Sequence, residues 1–110
     1  MEAKAIAKGV RISPIKTRLV IDLIRGKNVS DALNILNNTN TKASRAIRKV
    51  VNSAVANAVN NNGADVNTLY VKEARVDAGS VMKRVLFDSR GRIGHKDHRT
   101  SHIVVTVDER

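Results

Sequence analysis

The sequence predicts an α+β fold: three helices packed on a small antiparallel three-stranded sheet, with a long protruding β-hairpin. Three observations predict it. Ala43, Ala46, Ile47, Val50, Val51, Ala54, Val55, Ala58 and Val59 recur with a 3.6-residue period, the pattern of a helix with one buried face. Residues 102–109, HIVVTVDE, alternate Ile103, Val105 and Val107 with Val104, Thr106 and Asp108, the period of a strand. The helical patterns are grouped between strand patterns, which places helices on an antiparallel sheet.

In chain order, Ala3 to Ile12 alternates small or apolar residues with Lys and Arg and reads as a short strand. Ser13-Pro14 is a helix-start signal, a hydroxyl for the N-cap and proline at the first helical position. A helix is predicted from about 14 to 25, with Leu19, Val20, Leu23 and Ile24 as its core stripe and Gly26 as its stop. Ser30 offers a second N-cap, and Ala32, Leu33, Ile35 and Leu36 form a short amphipathic helix that Asn37-Asn38-Thr39-Asn40 ends. The long periodic helix follows and stops at Asn61-Asn62-Gly63; its alanines imply close packing on a neighbouring element. Thr68 to Val76, with Leu69, Tyr70, Val71 and Val76, is the next strand. One domain spanning 1–110 accounts for the length, with no repeat or internal boundary.

Between the last two strands lies VMKRVLFDSRGRIGHKDHRTSH, residues 81–102. A structureless connection of this length is unusual in a compact domain. As a hairpin arm over about 79–101, each limb of about 10 residues would reach about 33 Å at ~3.3 Å per residue. A two-stranded ribbon is marginal in water by itself, so an ordered arm calls for an external surface. Lys83, Arg84, Arg90, Arg92, Lys96 and Arg99 against Asp88 and Asp97 make that surface anionic, and Gly91 and Gly94 permit a tight tip. The competing readings are a solvated linker and a histidine metal site.

The totals agree. Twenty Lys and Arg against ten Asp and Glu give a net charge of +10, which attracts polyanions, nucleic acid first and an anionic membrane surface second. The N-terminus lacks an apolar stretch for a signal peptide or span, so no membrane insertion is expected and cytoplasmic residence is the default. With no cysteine, thiol-based metal and nucleophile chemistry is excluded. His95, His98 and His102 have ligand-like spacing, but Lys96 and Arg99 crowd them with positive charge. No nucleophile elbow, HExxH or glycine-rich phosphate loop is present, so neither metal nor cofactor nor enzymatic turnover is expected. The histidines, His102 included, suit hydrogen bonds to phosphate or sugar. Tyr70 and Phe87 are the only aromatics, too few for base stacking, so backbone and shape recognition of a folded RNA fits better. A second basic cluster, Lys4, Lys8, Arg11, Lys16, Arg18, Arg25 and Lys27, faces only Glu2 and Asp22 in the first 27 residues. A basic body and a basic arm describe a protein embedded in RNA; a DNA-binding architectural protein is the alternative.

The chain also resembles the bacterial large-subunit ribosomal protein twenty-two (L-twenty-two) family along essentially its whole length. The residues that carry the resemblance are KTRLVIDLIRGK at 16–27, NSAVANA at 52–58, MKR at 82–84, GR at 91–92 and RTSHI at 99–103. The resemblance implies a structural constituent of the large subunit that binds its rRNA, aids assembly, and sends a hairpin to line the nascent-peptide exit tunnel. The partners it implies are large-subunit rRNA, neighbouring large-subunit proteins and the nascent polypeptide, on the cytoplasmic ribosome. By match, Met82, Lys83, Arg84, Asp88 and Arg90 would line the tunnel. Arg92 and Arg99, with Lys16, Arg18, Arg25 and Lys27 on the body, would grip rRNA. The chain departs from the family pattern at Ser80, where proline is usual, at Asp88, where a basic residue is usual, and at HKDH, residues 95–98.

Overall fold

The computed structural model describes residues 2–87 and 93–109, except for the side chains of 80–99. The elements run β1 (Ala3–Val10), α1 (Pro14–Ile21), α2 (Val29–Asn38), α3 (Lys42–Asn62), a 3-10 turn (Val66–Thr68), β2 (Leu69–Phe87) and β3 (Ile93–Glu109). The predicted architecture of three helices and three antiparallel strands is present, in the sheet order β1-β3-β2. The last strand is central because β1 and β2 each pair with one of its two edges.

The alternation in β3 sorts its side chains as predicted. Ile103, Val105 and Val107 are fully buried with Ala3, Ala5, Val71, Ala74 and Val76 from the flanking strands. Against them lies the α3 stripe: Ala43, Ile47, Val50, Val51, Ala54 and Ala58 are all buried. Small side chains at 43, 54 and 58 bring the α3 backbone close to the sheet. Thr41 caps this helix by a reciprocal box with Ser44, and Gly63 ends it at φ 65°, a left-handed conformation that glycine adopts without strain.

Three local expectations are corrected. α1 ends at Ile21 rather than near 25, and residues 22–27 continue as tighter turns, with Leu23 N–H on Val20 O and Ile24 N–H on Ile21 O. Ser13 is the N-cap residue, but its side chain makes no cap bond; its carbonyl instead accepts from the Thr17 hydroxyl and amide. The α2 N-cap is Asn28, not Ser30. The α1 stripe also splits. Val20, Ile21 and Ile24 are buried with Thr17, whereas Leu19 is 70% and Leu23 47% exposed, in line with Ile15 at 66%.

β2 has 19 residues and β3 has 17, and they pair from Leu69↔Glu109 to Phe87↔Ile93. β1 follows β3 only as far as Val10↔Ser101. The molecule is elongated in consequence, 60 × 26 × 16 Å with a radius of gyration of 16.8 Å. A compact chain of this length would have about 13 Å.

Candidate nucleic-acid interface

The predicted basic residues of the body are all exposed, but they do different work. Arg18 donates Nε and Nη2 to the Val76 carbonyl at 3.2 and 3.1 Å. Arg25 donates the same two groups to the Ala74 carbonyl at 3.0 and 2.6 Å, and its Nη1 reaches Asp22 at 2.9 Å. These carbonyls lie on the outer edge of β2, which has no strand beyond it among the described residues. Alternate residues of a strand point their carbonyls to one edge, so Val76 and Ala74 present theirs together, the first to Arg18 in α1 and the second to Arg25 in the turns that follow it. The same edge is closed further along by Gly26 N–H on Val71 O at 2.9 Å and Val71 N–H on Lys27 O at 2.8 Å. This closure sets the rotation of α1: turning Arg18 and Arg25 toward β2 turns Val20, Ile21 and Ile24 inward and Ile15, Leu19 and Leu23 outward.

His102 is half-buried, and its Nδ1 accepts the Gly9 N–H at 3.1 Å, holding β1 where it bulges at Gly9, φ 68°. Nearby, Ser101 Oγ donates to Ile12 O at 2.6 Å. Lys4 and Lys8 sit on β1, and Arg11 and Lys16 flank the start of α1. Met82, Lys83, Arg84, Lys96 and Arg99 fall on the paired backbone of β2 and β3, opposite His98, Asp97, Lys96, Arg84 and Val81 respectively. Asp88, Arg90 and Arg92 lie outside the described residues.

Sequence reasoning missed four cations on α3: Lys42, Arg45, Arg48 and Lys49. Arg48 Nη1 bonds Asn37 Oδ1 at 2.9 Å and Arg45 Nη2 bonds Asn40 Oδ1 at 3.2 Å, so their partners are neutral amides. The signal was readable. The whole helix has no acidic residue, and its positive end carries Lys42 in the first turn. Cations there oppose the helix dipole, each by about 0.3–1 kcal/mol.

Charge is therefore segregated. From 11 to 62 there are nine Lys and Arg against Asp22 and Asp31. On the opposite face of the sheet, Lys72 and Arg75 are matched by acids. Arg75 lies between Glu73 at 2.7 Å and Asp77 at 3.3 Å, and Lys72 pairs with Glu2 and, at 3.8 Å, with Asp108. The Glu2 carboxylate, by its hydrogen bond and then its charge, raises the Lys72 pKa above its ordinary value. No helix among the described residues is long and apolar enough to cross a membrane.

Residues 5–108 match the family described as "Ribosomal protein L22p/L17e". The chain belongs to this family. Its curated relatives include the "Large ribosomal subunit protein uL22" of Halothermothrix orenii and that of Thermus thermophilus, each 54% identical over 110 residues, all of this chain and 97% of the relative. The protein of the same name from Mycoplasmopsis agalactiae is 53% identical over 108 residues, 98% of this chain and 95% of the relative. The family is one of structural ribosomal components, not of enzymes, which favours the ribosomal reading over the DNA-binding one.

Proposed function

We propose that the chain is a structural constituent of the large ribosomal subunit, bound to its rRNA in the cytoplasm. Residues 1–110 act as one domain, with the arm at about 79–101 lining the nascent-peptide exit tunnel. What carries the reading is the end-to-end family match, residues 5–108, to proteins named for the large subunit. The segregated charge supports an RNA-facing helical side, since unpaired Lys and Arg gain affinity for phosphates by releasing counterions. The long β2–β3 ladder supports an arm: past Ala78 and Ser101 it has, among the described residues, two strands and no third.

Within this reading Lys4, Lys8, Arg11, Lys16 and Lys27 contact rRNA from the body. Lys83, Arg84, Arg90, Arg92, Lys96 and Arg99 contact it from the arm, and Met82, Lys83, Arg84, Asp88 and Arg90 face the tunnel and the nascent chain. Arg18, Arg25 and His102 contribute indirectly, by holding β2 and β1 in place. Neighbouring subunit proteins are the other partners. Sucrose-gradient fractionation of cell extract tests the proposal: the chain should sediment with large subunits at moderate salt. Recovery only at the top of the gradient would refute it.

A further inference from the structure

β3 meets a bulge on each of its edges where the two-stranded part of the ladder begins. On one edge the register passes from Ala7↔Ile103 to Val10↔Ser101, so Lys8 and Gly9 stand opposite the single residue His102. On the other it passes from Ala78↔Ser101 to Val81↔Arg99, so Gly79 and Ser80 stand opposite Thr100. Gly9, at φ 68°, has the left-handed conformation that such a bulge asks of glycine. A bulged residue is left out of the backbone ladder, and here the half-buried His102 ring takes the Gly9 N–H instead, accepting it at Nδ1 over 3.1 Å. A Cβ on Gly79 would stand 3.2 Å from His102 Cε1, so the glycine on the far edge leaves room for the same ring. One side chain of the central strand therefore lies between the two bulges.

A neutral imidazole accepts at one ring nitrogen only, so the Gly9 bond places the ring proton on Nε2. In the imidazolium both nitrogens are donors, and Nδ1 would then meet the Gly9 N–H donor to donor. Histidine is the side chain whose charge ordinarily changes between about pH 5 and 8. Among the described residues, the charged groups opposite the ring are Lys8 on β1 and Asp77 on β2, and Asp77 is itself bonded to Arg75 at 3.3 Å. The helices cover the other face of the sheet. We infer that His102 is a proton-operated latch between β1 and the root of the arm: the neutral ring closes it and the imidazolium opens it. Opening releases Lys8 and Gly9 without unzipping the strand, because Val10 still pairs with Ser101, and Ser101 Oγ still donates to Ile12 O at 2.6 Å. The latch goes beyond the ribosomal reading and does not rest on it.

The test is NMR of the free, isotope-labelled chain between about pH 5 and 8. With the ring neutral, a scalar coupling across the hydrogen bond should link the Gly9 amide nitrogen to His102 Nδ1. As the ring protonates that coupling should vanish, and the Gly9 amide shift should move with the same midpoint as His102 Cε1–H. His102→Asn puts a carbonyl that does not titrate where Nδ1 stands, so its Gly9 shift should stay flat over the range. His95→Gln with His98→Gln should leave the parent behaviour in place, which sets the other histidines apart. A His102 ring that titrates while the Gly9 shift stays flat would overturn the inference. So would a Gly9 transition that persists in His102→Asn, with Asp77 then checked as its source by Asp77→Asn. Sedimentation with large subunits is untouched by either result.

Discussion

The arginine closure of β2 makes a prediction that separates folding from RNA binding. Replacing Arg18 and Arg25 together by Met removes the four N–H bonds to Val76 and Ala74 while keeping side-chain length at both positions and helix propensity at 18. A hydrogen bond to a charged donor contributes about 1.5–3 kcal/mol net when buried. Arg25 is 48% exposed, so water replaces much of what is lost, and about 1 kcal/mol per arginine is the appropriate discount. The pair should therefore cost about 2 kcal/mol, or roughly 8–15 °C in thermal midpoint for a domain of this size. Removing two charges from a chain of +10 acts in the opposite direction by easing self-repulsion. A control variant, Lys16→Met with Lys27→Met, removes the same charge from exposed side chains outside this closure and should be neutral or slightly stabilising. Urea unfolding of the free protein, followed by circular dichroism, measures both. If the arginine pair loses no more stability than the lysine pair, the guanidinium–carbonyl bonds do not hold the edge, and the two arginines belong with the RNA contacts.

Two further outcomes follow from local geometry and charge. A Cβ on Gly79 would overlap Thr100 Oγ1 and stand 3.2 Å from the Thr100 carbonyl carbon, so Gly79→Ala should cost about 1–3 kcal/mol in urea unfolding, with part recovered by adding Thr100→Ala. Glu2 raises the Lys72 pKa, so the stability from this pair is complete below pH 10.5, the ordinary lysine value, and is lost as pH rises through the higher folded value. NMR titration of the lysine side chains should show Lys72 titrating lower in Glu2→Gln than in the parent, and the two proteins should converge in stability at the alkaline end.

Period-based elements were the legible part. The long stripe of α3 has one buried face, and a local pattern is enough to find it; the alternation at 103–108 finds the strand and its core face, although Val104 and Thr106 on the other face are buried as well. The α1 stripe was misread for a tertiary reason. Leu19, Val20, Leu23 and Ile24 are all apolar, and only the demand of the β2 edge for Arg18 and Arg25 decides which half turns inward. No local pattern records an edge fifty residues away. The same holds for the site. That Arg18, Arg25 and His102 are polar and basic was plain, but their carbonyl and amide partners lie 93 residues away for His102 and 49 or more for the arginines. The α3 cations were legible in principle, as charges at the wrong end of a helix without an acid, and went unread because the apolar stripe dominated that segment.

The pairing limits of the sheet carry one more prediction. From Ala3↔Val107 to Val10↔Ser101, β3 has a neighbour on both edges, and helices cover one face. Along 81–87 and 93–99 the same two strands pair, among the described residues, only with each other. A lone two-stranded ribbon is marginal in water, whereas opening the body requires exposing Ile103, Val105 and Val107. Amide exchange of the free protein should therefore divide near Ala78 and Ser101. Body amides of β3 should be protected to the level of global unfolding, and those of 81–87 and 93–99 should exchange several orders of magnitude faster. In the assembled subunit the second group should slow strongly, because an RNA host supplies the surface that the chain itself lacks. Equal protection in both segments of the free protein would mean that the ladder is stable without a host, and the physical case for an arm that needs RNA would fall with it.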